Sequence, residues 1–528
     1  MALPAALAPL RHPVFRSLWI AGLAANTGLW VQNTGAAWLM TSLAPSPVMV
    51  SLVQAASMLP VFLLALPAGA LADILDRRRM LIAAQCWMAA MGVLLAILAF
   101  SGGLGAWGLL ALTFGIGAGT ALIFPAMAAT TPELVPREDL VQAIALNGIG
   151  FNLARALGPA IGGFVIAISG VEASFMLAAS GFVVMVAALV LWRRTRSTDT
   201  LPPEHFLPAM RSGVFFVAAS PALRAAILRA CAFFFFTAAV WGLLPILVRG
   251  RLGLGPDAFG LMLTAMGAGA VTAGFALPSL RGNATRGTMV FRFSLLAAAA
   301  IALLGAFPHW LPAGIAMVAF GVAWIGAAST LQAAAQLASP AWVRARAIGI
   351  YQLAFFGTLA AGSALWGILG SILGVPETLL LAAVLGAGVA FLVRSWRIDP
   401  AANAPAPAAT LPVPEAPAAE FDALGENSGR LLEVVRYSVT PDNRAGFVAI
   451  MAEMRRLRLR NGARVWRLYE DIAHPERFAE LWVMESWTDH LREAGRMDAG
   501  DLATLARAAA FHSGDAPPEA SRYLNLNP

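Results

Sequence analysis

Residues 69–79 read GALADILDRRR, from Gly69 to Arg79, and this stretch closes one long apolar run and opens the next. Asp73, Asp76 and the consecutive arginines Arg77, Arg78 and Arg79 stand between two segments that are each long enough to cross a bilayer. Charges so placed cannot enter hydrocarbon, so the stretch is a short connection held in water on one side, with a helix entering lipid on either side of it.

Composition extends this reading to the whole chain. Of 528 residues, 59% are apolar and 12% charged, too few polar groups to cover a soluble fold of this size. A span of hydrocarbon roughly 30 Å thick takes about 20 apolar residues as a helix, and about twelve such segments lie before residue 398. They run 16–41, 48–72, 80–101, 106–129, 139–168, 172–192, 222–248, 257–279, 288–307, 311–336, 344–371 and 376–396. Met1 to Pro13 is short, carries prolines and includes Arg11, so no cleaved signal is expected there.

Arginine placement orients the spans. Arg11, Arg16, Arg77 to Arg79, Arg137, Arg193, Arg194, Arg196, Arg281, Arg286, Arg344, Arg346, Arg394 and Arg397 all fall on alternate connections, whereas the opposite connections carry almost only Arg249 and Arg251. Positive loops stay on the cytoplasmic side, which places both termini in the cytoplasm. Residues 1–420 hold 22 arginines against 13 acids, and the remainder 14 against 16, so the basic balance belongs to the membrane part and implies no nucleic-acid partner. Cys86 and Cys231 lie in separate spans and form no metal or disulfide pattern.

A repeat at an offset of 204 pairs Pro136 with Pro340, Ala143 with Ala347, Gly158 with Gly362 and Gly163 with Gly367. With six spans before and six after the polar stretch Arg193 to Ser220, it points to two related bundles. The expected boundaries are an N-terminal bundle at 1–194, a central loop at 195–220, a C-terminal bundle at 221–397, a linker at 398–428 and a soluble domain at 429–528.

The opening stretch resembles the loop between helices 2 and 3 of the major facilitator superfamily of secondary transporters. Gly69, Asp73, Arg77 and Arg78 fit its motif, while Ile74 and Asp76 replace the usual basic residue and turn glycine. The resemblance implies that Asp73 caps or pairs with the cytoplasmic start of helix 11, near Arg344 and Arg346, and serves as a gate that holds the outward-facing state. Ala154 to Gly163, ARALGPAIGG, is similar to the antiporter motif of the superfamily through Gly158, Pro159, Gly162 and Gly163, although Ala145 and Ala154 stand where glycines are usual. Small residues and a proline suit a close, moving helix interface.

Arg155 lies well inside a span, where a charge costs about 2.5–3.5 kcal/mol on insertion scales, so it is expected to face a cavity, together with Asn152. It either contacts an anionic or oxygen-rich substrate or serves as a fixed strut. Helix 1 offers Asn26, Trp30 and Asn33 on one face, helix 7 Phe234, Thr237 and Trp241, and helix 11 Tyr351, Gln352 and Phe355. Aromatic residues with few charges suit an amphipathic small molecule. No carboxylate sits mid-span, so proton antiport rests on the resemblance. No GxxxxGK[ST] phosphate loop occurs, and neither a cofactor nor a metal is expected.

Beyond Arg397 the sequence AANAPAPAATLPVPEAPAAE reads as a semi-rigid linker. Strand patterns at Leu431 to Val439, Ala463 to Asp471 and Phe478 to Trp487, with helical patterns at Asp442 to Arg460 and Thr488 to Ala510, suggest a ferredoxin-like domain. The stretch GARVWRLYEDIAHPERFAELWVMESWTDHLRE resembles the tail of an exporter subfamily related to enterobactin exporters, and the small antibiotic-biosynthesis monooxygenase fold. His474, His490, Trp466 and Trp487 are the side chains suggestive of oxidation, but dimerisation or regulation is the preferred role, not enzyme activity. The resemblances imply a multi-pass transporter of a bacterial inner membrane that exports siderophore-like or drug-like amphipathic molecules by alternating access, with protons and lipid as partners. The alternatives are an importer, or a transporter whose tail oxidises or senses its cargo.

Overall fold

A computed structural model describes residues 5–192, 214–218, 220–281, 284–340, 343–399, 430–487, 490, 493, 497 and 499–525. The helices of the first part are α1 (Pro13–Leu43), α2 (Pro47–Ile74), α3 (Arg77–Phe100) and α4 (Ala106–Leu134), then Leu140–Leu191, which Gly170 (φ 86°, ψ 169°) breaks into α5 and α6. The second part holds α7 (Pro221–Ile246), α8 (Pro256–Arg281), α9 (Arg286–Ala306), α10 (Trp310–Leu337), α11 (Arg344–Leu373) and α12 (Val375–Val393).

Nine of these helical segments are long and apolar enough to cross a membrane among the described residues, and one of them, Gln142–Leu191, at 50 residues, is long enough for two crossings. With α1 and α8, of 31 and 26 residues, the expected twelve are present. Their outer faces are apolar as well: Phe100 is 85% exposed, Trp107 72% and Leu392 73%, surface that only lipid makes tolerable. Proline starts α1, α2 and α12, where its missing N–H costs nothing, and Asp76 caps α3 by accepting from the Arg79 N–H at 3.0 Å. The opening stretch is thus a tight turn between α2 and α3.

The two halves repeat the same packing. In the first, α5 lies on α1, α4 on α2 and α6 on α3; in the second, α11 lies on α7, α10 on α8 and α12 on α9. Gly158 faces Trp30 of α1, and its repeat mate Gly362 faces Phe235 and Ala238 of α7. Gly163 meets Gly260 of α8, and its mate Gly367 meets Ser51 of α2, so the contacts that join the halves are also related. A Cβ at Gly163 would stand 2.5 Å from the Gly260 Cα, and only glycine permits that approach.

The tail forms a sheet of strands β1 (Leu431–Ser438), β2 (Val465–Glu470), β3 (Arg477–Met484) and β4 (Glu519–Leu524) in the order β2-β3-β1-β4, all neighbours antiparallel. This is the four-stranded sheet of a ferredoxin-like β-α-β-β-α-β domain, and its last strand, β4, at the sheet edge, was not expected from the sequence. Its sequence EASRYL lacks the alternating apolar pattern that announces the others, and its pairing with β1 holds it. Helix α13 (Arg444–Arg460) buries Phe447, Ile450, Met451, Met454 and Leu457, an apolar stripe of helical period that forms the core with Tyr437, Phe478 and Trp482. Helix α14 (Ala499–Ala509) packs against α13. Most of the expected central loop and linker, and much of the expected helical start at Thr488, lie outside the described residues.

Candidate functional site, a central aromatic cavity

A cavity of about 190 Å³ opens between α1, α2, α4, α5, α7, α10 and α11. Trp30, Trp241 and Trp324 form a chain across it, with ring centroids 5.9 Å apart for the first pair and 5.4 Å for the second. Phe234 packs edge-on against Trp324 at 5.1 Å and Phe355 at 4.5 Å. Arg155 of α5 supplies the one charge in the described lining. Asn33, Gln54, Ser57, Thr113, Thr120, Gln332, Tyr351 and Gln352 are polar members of the lining, and Ser57 donates to Asn33 Oδ1 at 3.1 Å.

Four polar groups of the lining have no hydrogen-bond partner among the described residues, and three of them are pure donors. The indole N–H groups of Trp30, Trp241 and Trp324 and the Thr113 hydroxyl are all buried without a hydrogen-bond partner among the described residues. Each such group loses its water without replacement, which costs about 1–3 kcal/mol until a ligand fills the role. A guanidinium in the same low-dielectric space, with no carboxylate in the described lining, favours an anion.

Of the residues expected to line one cavity, Trp30, Asn33, Arg155, Phe234, Trp241, Tyr351 and Gln352 do so together. Asn26 faces a neighbouring compartment instead, because it lies a turn nearer the start of α1, beside Gln85 of α3. Thr237 back-bonds to the Phe233 carbonyl at 2.9 Å and lines a crevice shared with α9 and α12. The side chain of Asn152 lies outside the described residues. Gln54, Ser57, Thr113, Trp324 and Gln332 were not singled out in the sequence. The three-residue spacing of Gln54 and Ser57 inside an apolar span was the available signal.

Gly158, Gly162 and Gly163 lay α5 against Trp30, Thr34 and Gly260, and Pro159 turns its carbonyl toward Gly260. The end of the helices that holds Gly163 and Gly367 is latched further. Arg249, in the helical turn after α7, donates to Thr41 at 2.8 Å and to Ser42, and its guanidinium lies 5.6 Å from the Trp38 ring. Trp38 in turn stacks on Phe259 of α8 at 5.7 Å. In the sequence Arg249 marks only orientation, since Thr41 lies 208 residues away.

At the opposite end, Arg77 pairs with Glu133 at 2.7 Å, and Arg78 donates to the carbonyls of Leu189 and Val190, each at 2.8 Å, capping α6. His12 meets Asp139 at 2.9 Å. A Cβ at Gly69 would meet nothing within 4 Å, so this glycine is not demanded by packing here. The Asp73 side chain lies outside the described residues.

The tail holds a buried ion network. Arg458 donates to Glu480 at 3.1 Å and Glu493 at 3.0 Å, with its guanidinium 3.6 Å from the Trp482 ring. Burial opposes its charge, but Glu480, Glu493, Tyr437 and Glu433 outweigh that and hold it protonated. Burial, then the charge of Glu480, pushes the Tyr437 hydroxyl well above its usual range, and it donates to Glu480 at 3.3 Å. Trp466 donates to Glu480 at 3.0 Å, and His490 meets Glu433 at 2.6 Å beside Trp487. His474 lies apart on an exposed turn near Glu476. Glu433, His490 and Glu493 bring metal-ligand atoms within 4.8 Å of one another, but their bonds to one another and to Arg458 close the group as a structural network.

Twelve membrane-length helices in two half-repeats around a central cavity define a transporter of the major facilitator fold. The chain belongs to the transmembrane secretion effector family, whose profile matches residues 4–528. It is similar to the enterobactin exporter EntS of Shigella boydii serotype 18, 28% identical over 371 residues, covering 69% of this chain and 86% of that one. EntS of Escherichia coli O81 matches at the same identity and coverage. Among solved structures, a bacterial homolog of the human lysosomal transporter Spinster, inward-facing and unoccupied, superposes with a TM-score of 0.60 at 14% identity, covering 75% of this chain and 98% of that one. A POT family transporter in complex with 5-aminolevulinic acid gives 0.60 at 12% identity, covering 72% and 95%. These structures share the fold. The protein is thus a multi-pass transporter of a bacterial inner membrane.

Proposed function

We propose that the protein exports an amphipathic, aromatic, acceptor-rich anion across the inner membrane by alternating access. The observation that carries this reading is the central cavity, where Arg155, three unpartnered indole donors and the Thr113 hydroxyl face no carboxylate among the described residues. A siderophore or drug-like acid meets that demand, and similarity to enterobactin exporters supports the outward direction.

With both termini in the cytoplasm, as arginine placement expects, the latch of Arg249, Thr41 and Ser42 and the glycine contacts of Gly163 and Gly367 lie at the outer face. The conformation is then inward-facing, with cargo entering from the cytoplasm. Opening outward requires these contacts to part, and the segment of Asp73, Arg77 and Arg78 closes the cytoplasmic side in exchange. The antiporter-like motif supports proton exchange as the driving force. Carboxylates that could take part lie at helix ends, such as Glu133 and Asp139.

Inside-out vesicles test the reading. Vesicles containing the protein should accumulate a fluorescent aromatic acid when a proton gradient is imposed and lose that accumulation when it is collapsed. Equal uptake by vesicles without the protein, or uptake indifferent to the charge of the probe, would remove the proposal.

A further inference from the structure

A second, larger compartment of about 430 Å³ lies beside the central cavity, enclosed by α1, α3, α4, α5 and α6. Leu29, Thr120, Phe124 and Phe151 line both spaces, so the two are divided by a shared wall rather than by a helix layer. Two of those four are phenylalanines, packed against each other at 6.2 Å.

The chemistry of the compartment differs from that of its neighbour. It has no charged residue in its described lining. Gln85 of α3 is 3% exposed and its side-chain carbonyl oxygen has no partner among the described residues, whereas Thr131, equally buried, donates to the Met127 carbonyl at 3.0 Å. Asn147 is already engaged, donating to Thr131 at 3.1 Å. The unpartnered indole groups of the central cavity are donors, while this compartment offers an acceptor that lacks a donor.

Size adds a second argument. Sites for drug-sized ligands measure about 300–1,000 Å³. The central cavity, at about 190 Å³, falls short of that range alone, and the neighbouring 430 Å³ brings the pair within it.

We propose that this compartment is a second lobe of the cargo site, taking an uncharged, flat part of the cargo that carries an N–H or O–H donor for Gln85. The proposal rests on the reading of the central cavity as the place of the anionic aromatic part. Cargo would span the shared wall, its acid beside Arg155 and its amide or hydroxyl beside Gln85.

Three probes on the full-length protein in nanodiscs separate the possibilities: naphthalene-2-sulfonate, its 6-benzamido extension, and the N-methylated form of that extension, which lacks the donor. Binding is read by quenching of tryptophan fluorescence. The 6-benzamido probe should bind the unaltered protein roughly tenfold tighter than its N-methyl form, and Gln85→Leu should erase that difference while leaving naphthalene-2-sulfonate unchanged. Ile123→Trp, at a position that lines the second compartment and not the central one, should exclude both extended probes and spare the short one. If naphthalene-2-sulfonate binds but neither variant alters the extended probes, the compartment holds lipid or water and the lobe is overturned while the central site stands. Failure of naphthalene-2-sulfonate itself to bind would overturn both.

Discussion

Gly163→Val places a branched side chain where α5 and α8 touch, and the structure sets the scale of the effect. A Cβ there would stand 2.5 Å from the Gly260 Cα and 3.0 Å from the Pro256 carbonyl oxygen. Ordinary contact begins near 3.4 Å, so the helices must part by roughly 1 Å, and overpacking of this kind costs about 1–3 kcal/mol. The cost falls only on the conformation in which α5 and α8 are pressed together. A penalty of about 1–3 kcal/mol on one state shifts the balance of states by roughly 5–150-fold. Spin labels at Ser169→Cys and Asp257→Cys, with Cys86 and Cys231 replaced by serine, report the separation of these helix ends as a distance distribution. The variant should shift that distribution to longer distances and slow transport, while Gly314→Ala, whose Cβ meets nothing within 4 Å, should do neither. An unchanged distribution with normal transport would refute the claim that this contact closes one face.

Arg155→Gln should weaken transport of aromatic acids by roughly 10- to 150-fold, the worth of a charge-assisted bond, and spare neutral aromatics; equal loss for both in competition assays would make Arg155 a strut. Arg249→Ala removes the bonds to Thr41 and Ser42, so cysteines at the helix ends they join, the outer ends in the proposed orientation, should label faster with an impermeant maleimide, and an unchanged rate would show that the latch carries no closure. Arg458→Met strands Glu480 and Glu493 in the tail interior, costing about 3–5 kcal/mol. Faster hydrogen exchange across β1, β3 and α13 in the full-length protein checks this, and unaltered protection would contradict it.

The fold was legible because lipid imposes its terms on every span. Apolar length, the arginines of alternate connections and the GALADILDRRR turn each report a constraint that acts along the chain, and the break at Gly170 fell between the expected fifth and sixth spans. The site was legible where polar residues recur at helical spacing, as with Trp30 and Asn33. Thr237 shows the limit: it shares a face with Phe234 and Trp241 in projection, but its hydroxyl turns back to its own helix. Arg249 and Thr41, and the two sides of the Glu433 and His490 pair, meet only through tertiary packing, and no local pattern marks them. β4 was missed for the same reason, since partner pairing rather than its own sequence makes it a strand.

Outward movement of an aromatic acid should run through the cavity that Arg155 and the three tryptophans line. Inside-out vesicles carrying either the unaltered protein or Arg155→Gln, supplied with the same fluorescent aromatic acid under an imposed proton gradient, address it most directly. The account predicts accumulation inside vesicles of the unaltered protein and little in those of the variant. Equal accumulation in both, or loss of probe from preloaded vesicles in place of uptake, would contradict it.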